Sequence, residues 1–214
     1  HLVDPAEEDL RRAFSHPLHP QAITNVLRRR SFHDRIFSNL VEHDGYLAGE
    51  IAVPALDDIP FEMEVIGLRA LATHDELVTV FQTPVGMPGS FSLSDFQPLR
   101  DQADTNDWGP GRIISRILET VADDIHQQLD DAQVSVDELE QELRVAESRV
   151  DDPVEFRNRI SRLRRLFNDV EETIPSIIGV CQDIAADSLD LISEDERPLF
   201  DRDVEIYLLE TLTQ

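Results

Sequence analysis

The sequence predicts an α+β fold: a small α/β sandwich with a mixed sheet, then a long antiparallel helical hairpin and the start of a stalk helix. Three observations carry this. Residues 1–108 alternate short helical and β-rich stretches. Residues 109–192 hold two apolar seams at steps of three and four. Residues 193–214 form one more amphipathic stretch with no stop signal. These three ranges are the expected domain limits.

In the first range, "DPAEEDLRRAF" reads as a helix with Asp4 as N-cap and Pro5 at the first helical position. Leu10 and Phe14 fall on its inner side. "HPQAITNVLRRR" reads as a second short helix with Ile23, Val26 and Leu27 inward. "RIFSNLVEHDGYLAGEIAV" is a hairpin turning at Asp44-Gly45. "MEVIGLRALATHDELVTVFQT" holds two more strands. "LVTVF" is nearly continuous in apolar residues, so it is expected to be central and buried on both faces. "PVGMPGSFSLS" is a loop and "DFQPLRDQ" a short helix or turn.

The chain divides near "DTNDWGPGR". The first seam then runs through Ile114, Leu118, Val121, Ile125, Leu129, Ala132, Val136, Leu139, Leu143, Ala146 and Val150. "VDDPVEF" breaks it, with Asp152 as N-cap and Pro153 as first helical residue. The second seam runs through Phe156, Ile160, Leu163, Phe167, Val170, Ile174, Ile177, Cys181 and Ile184. Two matched seams joined by a short break imply an antiparallel pair. Pro175 lies inside the second helix and is expected to kink it. Ser193 and Glu196 form a capping box for the last helix, where Phe200, Val204, Leu208 and Leu212 share a face.

Composition narrows the function. The chain has 214 residues, 44 acids against 19 bases and a net charge of −25. Every base is Arg. Nucleic-acid binding is excluded on this ground, because phosphate contacts need a basic surface. The acidity reads either as a salt-adapted surface or as cation affinity of carboxylates, and the Arg-only bases suit a GC-rich genome. Cys181 is the one cysteine, so no internal disulfide forms, and its apolar neighbours suit a buried thiol. No stretch reaches the roughly 20 apolar residues of a membrane span. The opening "HLVDPAEEDL" has no basic start and no apolar core, so no signal peptide is expected; without an initiator Met, an earlier start is expected.

Motifs for chemistry are weak. "HPLHP" spaces His16 and His19 three apart, but its prolines favour a helix start over a zinc pair. "VGMPGS" and "GPG" lack the Lys-Ser/Thr of a phosphate loop. No nucleophile elbow or His-Glu metal motif occurs, so an enzyme is not expected. The acidic stretch from Glu119 to Glu155 reads either as a solvated face or as a diffuse cation-attracting surface. Taken alone, the seams also suit a soluble coiled-coil interaction protein.

The order of these stretches resembles the cytoplasmic domain of the CorA family of divalent-cation transporters, which includes ZntB-like zinc transporters. The residues that carry it are "HLVDPAEEDLRRAF", "LHPQAITNVL", "DELVTVFQTP", "GPGRIISRILETVADDIHQQLDD", "RISRLRRLFNDVEETIPSI" and "LFDRDVEIY". Asn25 stands where an acid is common in the family, and Glu205-Ile206-Tyr207 replaces its usual motif end. The resemblance implies a homopentamer at the cytoplasmic face of the cell membrane, with the last helix continuing past Gln214 into membrane helices. It implies a regulatory Mg2+ between subunits, with Co2+, Ni2+ or Zn2+ as alternatives. The matching stalk aspartate is Asp203. Its partner falls in "SLSDFQPLR", where Ser94 holds the nearest aligned site and Asp95 follows. Asp203 and Asp95 are the implied metal residues.

Overall fold

The computed structural model describes residues 1–32, 34–56, 63–87, 99, 101–103, 105, 108–145, 153–185 and 191. The fold is α+β. Its sheet holds β1 (Leu2–Val3), β2 (Asn39–His43), β3 (Tyr46–Leu56), β4 (Met63–Ala72) and β5 (Leu77–Phe81), in the order β1-β5-β4-β3-β2. β2 to β5 pair antiparallel as successive hairpins, and β1 adds parallel to β5. The β2–β3 turn falls at Asp44-Gly45, with His43 opposite Tyr46; Gly45 adopts φ 87°, which favours glycine there.

The helices with described limits are α1 (Glu7–Ala13), α2 (Pro20–Leu27), α3 (Pro110–Val145) and α4 (Pro153–Ala185). α1 and α2 cover one face of the sheet. Leu10, Phe14, Ala22, Ile23 and Val26 pack there against Tyr46, Ala48, Leu71, Val78 and Val80. α3 and α4 cover the other face, where Ile114, Leu118, Val121, Ile174 and Ile177 meet Leu47, Ile51, Val53 and Leu68. Alternation along β3 and β4 makes this possible, because successive side chains point to opposite faces. Each fully buried aliphatic side chain contributes about 1.5–3 kcal/mol from area removed from water.

Three sequence expectations need correction. Asp4 does not cap α1, and Pro5 lies before the cap rather than at the first helical position. Ala6 holds the cap position, and its N–H donates to Asp9 Oδ2 at 3.1 Å. Asp4 instead sits at φ 48° and accepts from Thr83 N (2.9 Å) and Thr83 Oγ1 (2.7 Å), closing the β1–β5 end. Its side chain is spent on a partner 79 residues away, so local spacing misleads.

Second, "LVTVF" is not central. Its neighbour β1 is two residues long, and the alternate residues Leu77 and Thr79 remain partly exposed. β4 is the middle strand, buried on both faces from Ile66 to Ala72.

Third, three seam residues face outward: Leu143, Ile160 and Phe167 are 54%, 37% and 42% exposed. Leu166 takes the inward place beside Phe167 and is fully buried. A 3.5-residue seam drifts by roughly 20° per heptad on a straight helix, so the buried row slides to the next residue.

Pro153 starts α4, and Pro175 lies within it. Cys181 is buried. The histidine stretch is a helix start: His19 caps α2, its Nδ1 accepting from Gln21 N at 3.2 Å. Ala146, Val150 and Asp152 lie outside the described residues, as do the 193–214 helix and its capping box.

Candidate functional site: the acidic hairpin and its junction with the sheet

α3 and α4 are about 54 and 50 Å long at 1.5 Å per residue. The outer side of α3 carries exposed Asp123, Asp130, Asp131, Asp137, Glu138, Glu140 and Glu142. Read along α3 alone, this face has almost no countercharge. The fold supplies it from α4. Arg159 reaches Glu142 at 2.7 Å and Glu138 at 2.9 Å. Its reach to residues on the last turns of α3, from a place near the start of α4, is what an antiparallel return produces. Gln127 and Gln133 donate to Asp131 and Asp137 one turn on. Among the described residues no group of three His, Cys, Asp or Glu side chains converges as a metal site requires. Along the described part of α3 the face is a spread of carboxylates paired with Arg159 and with neighbouring glutamines.

The hairpin meets the sheet at a polar junction beside Pro175. Proline lacks an N–H, so one helical carbonyl loses its donor. The next residue turns this local irregularity toward the sheet. Ser176 Oγ donates to Thr173 O at 2.8 Å and accepts from Ser38 N at 3.1 Å. Ser38 Oγ in turn accepts from Ala52 N in β3 at 2.8 Å. A chain of hydrogen bonds thus runs from α4 to the sheet through two serines. Next to it, Arg35 pairs with Glu172 at 2.6 Å.

Asp169 lies one turn earlier on α4. Burial, then the neighbouring Glu172, raises its carboxyl above the usual range, while Arg35 and Arg165 pull it back. The opposite case is Asp4. The Thr83 hydroxyl lowers its carboxyl most; burial opposes this, and the Thr83 amide and Arg29 lower it further.

Asp203 and Asp95, the metal residues implied by resemblance, both lie outside the described residues. His16 and His19 do not form a metal pair: His16 Nε2 bonds Asp44 O at 2.9 Å, and His19 stacks on His43. Burial and then the nearby His19 lower the His43 pKa, which favours its neutral form. Sequence reasoning did not single out Ser38, Ser176, Arg35, Glu172 or Arg159. One signal was available: a hydroxyl directly after a helical proline is a natural partner for an outside donor.

No family model matches the chain, and no curated protein matches it in sequence. Solved structures match it by fold. The complete CorA magnesium transporter from Methanocaldococcus jannaschii aligns at TM-score 0.68 and 14% identity, over 99% of this chain and 63% of that one. The soluble domain of the same CorA aligns at TM-score 0.68 and 15% identity, covering 99% and 80%. The cytoplasmic domain of ZntB from Vibrio parahaemolyticus aligns at TM-score 0.53 and 15% identity, covering 92% and 75%. The architecture is thus that of a soluble domain carried by ion transporters. Specifically, it is the CorA soluble-domain fold, as the sequence resemblance implies. The chain spans 63% of the length of the complete transporter it matches.

Proposed function

We propose that this chain is the cytoplasmic, metal-responsive domain of a CorA-type divalent-cation transporter. The observation that carries the reading is the fold match, which extends over 99% of the chain to a magnesium transporter. The acidity supports it. At −25 per chain, copies gathered around one axis repel each other, and repulsion opens the assembly. A divalent cation held between copies offsets that repulsion.

In this reading the assembly is a homopentamer, and the bound ion is Mg2+, with Co2+, Ni2+ or Zn2+ as alternatives. Asp203 and Asp95 are the proposed metal residues. The described residues offer no three-ligand cluster, so the ion falls to residues outside them or to pairs completed by another copy. Loss of the ion lets copies splay, and the long helices carry the change toward a membrane pore. This is a population shift, driven by a ligand that binds one state better.

A melting series in 0 to 20 mM MgCl2, with ionic strength held constant by NaCl, tests this proposal. A rise in Tm that Asp203→Ala removes supports it. Identical melting and sedimentation with and without magnesium oppose it.

A further inference from the structure

We propose that the pocket between α2 and the β2–β3–β4 rows binds the phosphoryl group of a small metabolite. The inference starts from "RRR" at 28–30, which the transport reading leaves unused. The three arginines diverge. Arg29 turns to Asp4, at 3.4 Å. Arg30 enters the pocket wall and reaches Glu50 Oε2 at 2.8 Å. Arg28 is exposed, also lines the pocket, and meets no carboxylate among the described residues.

Strand register builds the floor. Asn39 opposes Glu50, and Glu50 opposes Arg69, so the three side chains form one row on the α2 face. Arg69 is 4% exposed and Glu50 is 6% exposed. Arg69 comes within 3.1 Å of Glu50 Oε1, yet this oxygen accepts no aligned hydrogen bond. The buried Arg30 Nε also lacks a partner. Gly67 gives Glu50 its room: a Cβ there would lie 2.0 Å from Glu50 Oε1.

The charge is unbalanced. Among the described residues, three guanidiniums, Arg28, Arg30 and Arg69, line a pocket with Glu50 as its one carboxylate. Burial lowers the Arg69 pKa; Glu50 opposes this, while Arg30 and Arg28 add to it. Of the three, Arg69 is buried against Glu50, whereas Arg30 is partly exposed and Arg28 exposed, so the positive excess lies where a ligand from solvent can reach it, in a chain of net charge −25. A phosphomonoester carries about −1.5 to −2 at neutral pH, which matches the excess. Guanidinium forks suit its oxygens, and the Asn25 and Asn39 amides add uncharged donors. The volume, about 270 Å3, suits a phosphate on a small carrier.

The test is isothermal titration of the chain with inorganic phosphate, pyrophosphate and a nucleoside monophosphate. Ionic strength is fixed and EDTA is present, so the result does not depend on the divalent-cation reading. At least one probe is expected to bind saturably. Affinity should fall about tenfold or more in Arg28→Gln, whose exposed side chain leaves the melting curve unchanged. Preference for the nucleotide assigns an ester as ligand; equal or better binding of phosphate assigns the free ion. Three outcomes overturn the proposal: no saturable binding by any probe, citrate binding as tightly as phosphate, or unchanged affinity in both Arg28→Gln and Arg30→Gln.

Discussion

The two faces of the sheet solve the same packing problem with opposite electrostatics. On the α1–α2 side, short helices leave the β2 edge partly uncovered, and arginines gather there around Glu50. On the α3–α4 side, long helices cover the sheet with aliphatic residues and display carboxylates outward. Net charge therefore hides a separation. The acidic face is solvated and adjustable; the Glu50–Arg69 floor of the basic pocket is buried and fixed by strand register. A buried charge depends on its partners, whereas an exposed one is screened by salt.

The largest expected effect tests which residues hold the hairpin to the sheet side of the core. Leu166→Ala should cost about 2–5 kcal/mol in urea unfolding, because it opens a cavity at a fully buried site. Its neighbour Phe167, 42% exposed, should cost far less on the same change. Equal costs would mean that the seam read from the sequence, rather than the observed one, faces inward.

Next is the pocket floor. Gly67→Ala pushes a methyl into Glu50 and should cost about 1–3 kcal/mol, measured by the same unfolding. A neutral result would show that Glu50 has another place to go.

A smaller effect is expected at the junction. Ser176→Ala leaves the Ser38 N–H without its acceptor and should cost about 1 kcal/mol. Faster amide exchange at Ser38 would locate the change; unaltered exchange would remove Ser176 from the link.

The smallest effect is a matter of pH, and the two aspartates should respond oppositely. Asp4 is lowered in the fold, so its contribution is present above its ordinary value of 3.8 and is lost as pH falls through the depressed one. Asp169 is raised, so its ionised form opposes folding at neutral pH and the penalty fades as pH falls. Asp169→Asn should therefore raise Tm at pH 7, with the gain vanishing below about pH 4. Asp4→Asn should lower Tm at pH 7, with the loss shrinking in acid. Parallel responses in the two variants would contradict the assignment of causes.

Much of this was legible in the sequence because it is periodic. Leu10 with Phe14, Asp44-Gly45, and the Ile114-to-Ile125 run each follow a local rule, and each stands where that rule puts it. The misplacements come from information that spacing does not hold. Asp4 looked like a cap because its partner Thr83 is distant in sequence. "LVTVF" looked central because its apolar run says nothing about the length of its neighbour β1. Phe167 yielded to Leu166 because a heptad is not the true helical repeat. The Asn39–Glu50–Arg69 row was invisible for a related reason: three strands must be set in register before it exists.

The proposal of a transporter domain is tested most directly by the reading frame beyond the codon for Gln214. On that proposal the frame encodes a continuing helix and then apolar segments of about 20 residues each, long enough to span a membrane. A stop codon within a few residues would contradict it and leave a soluble helical interaction protein built on the same fold.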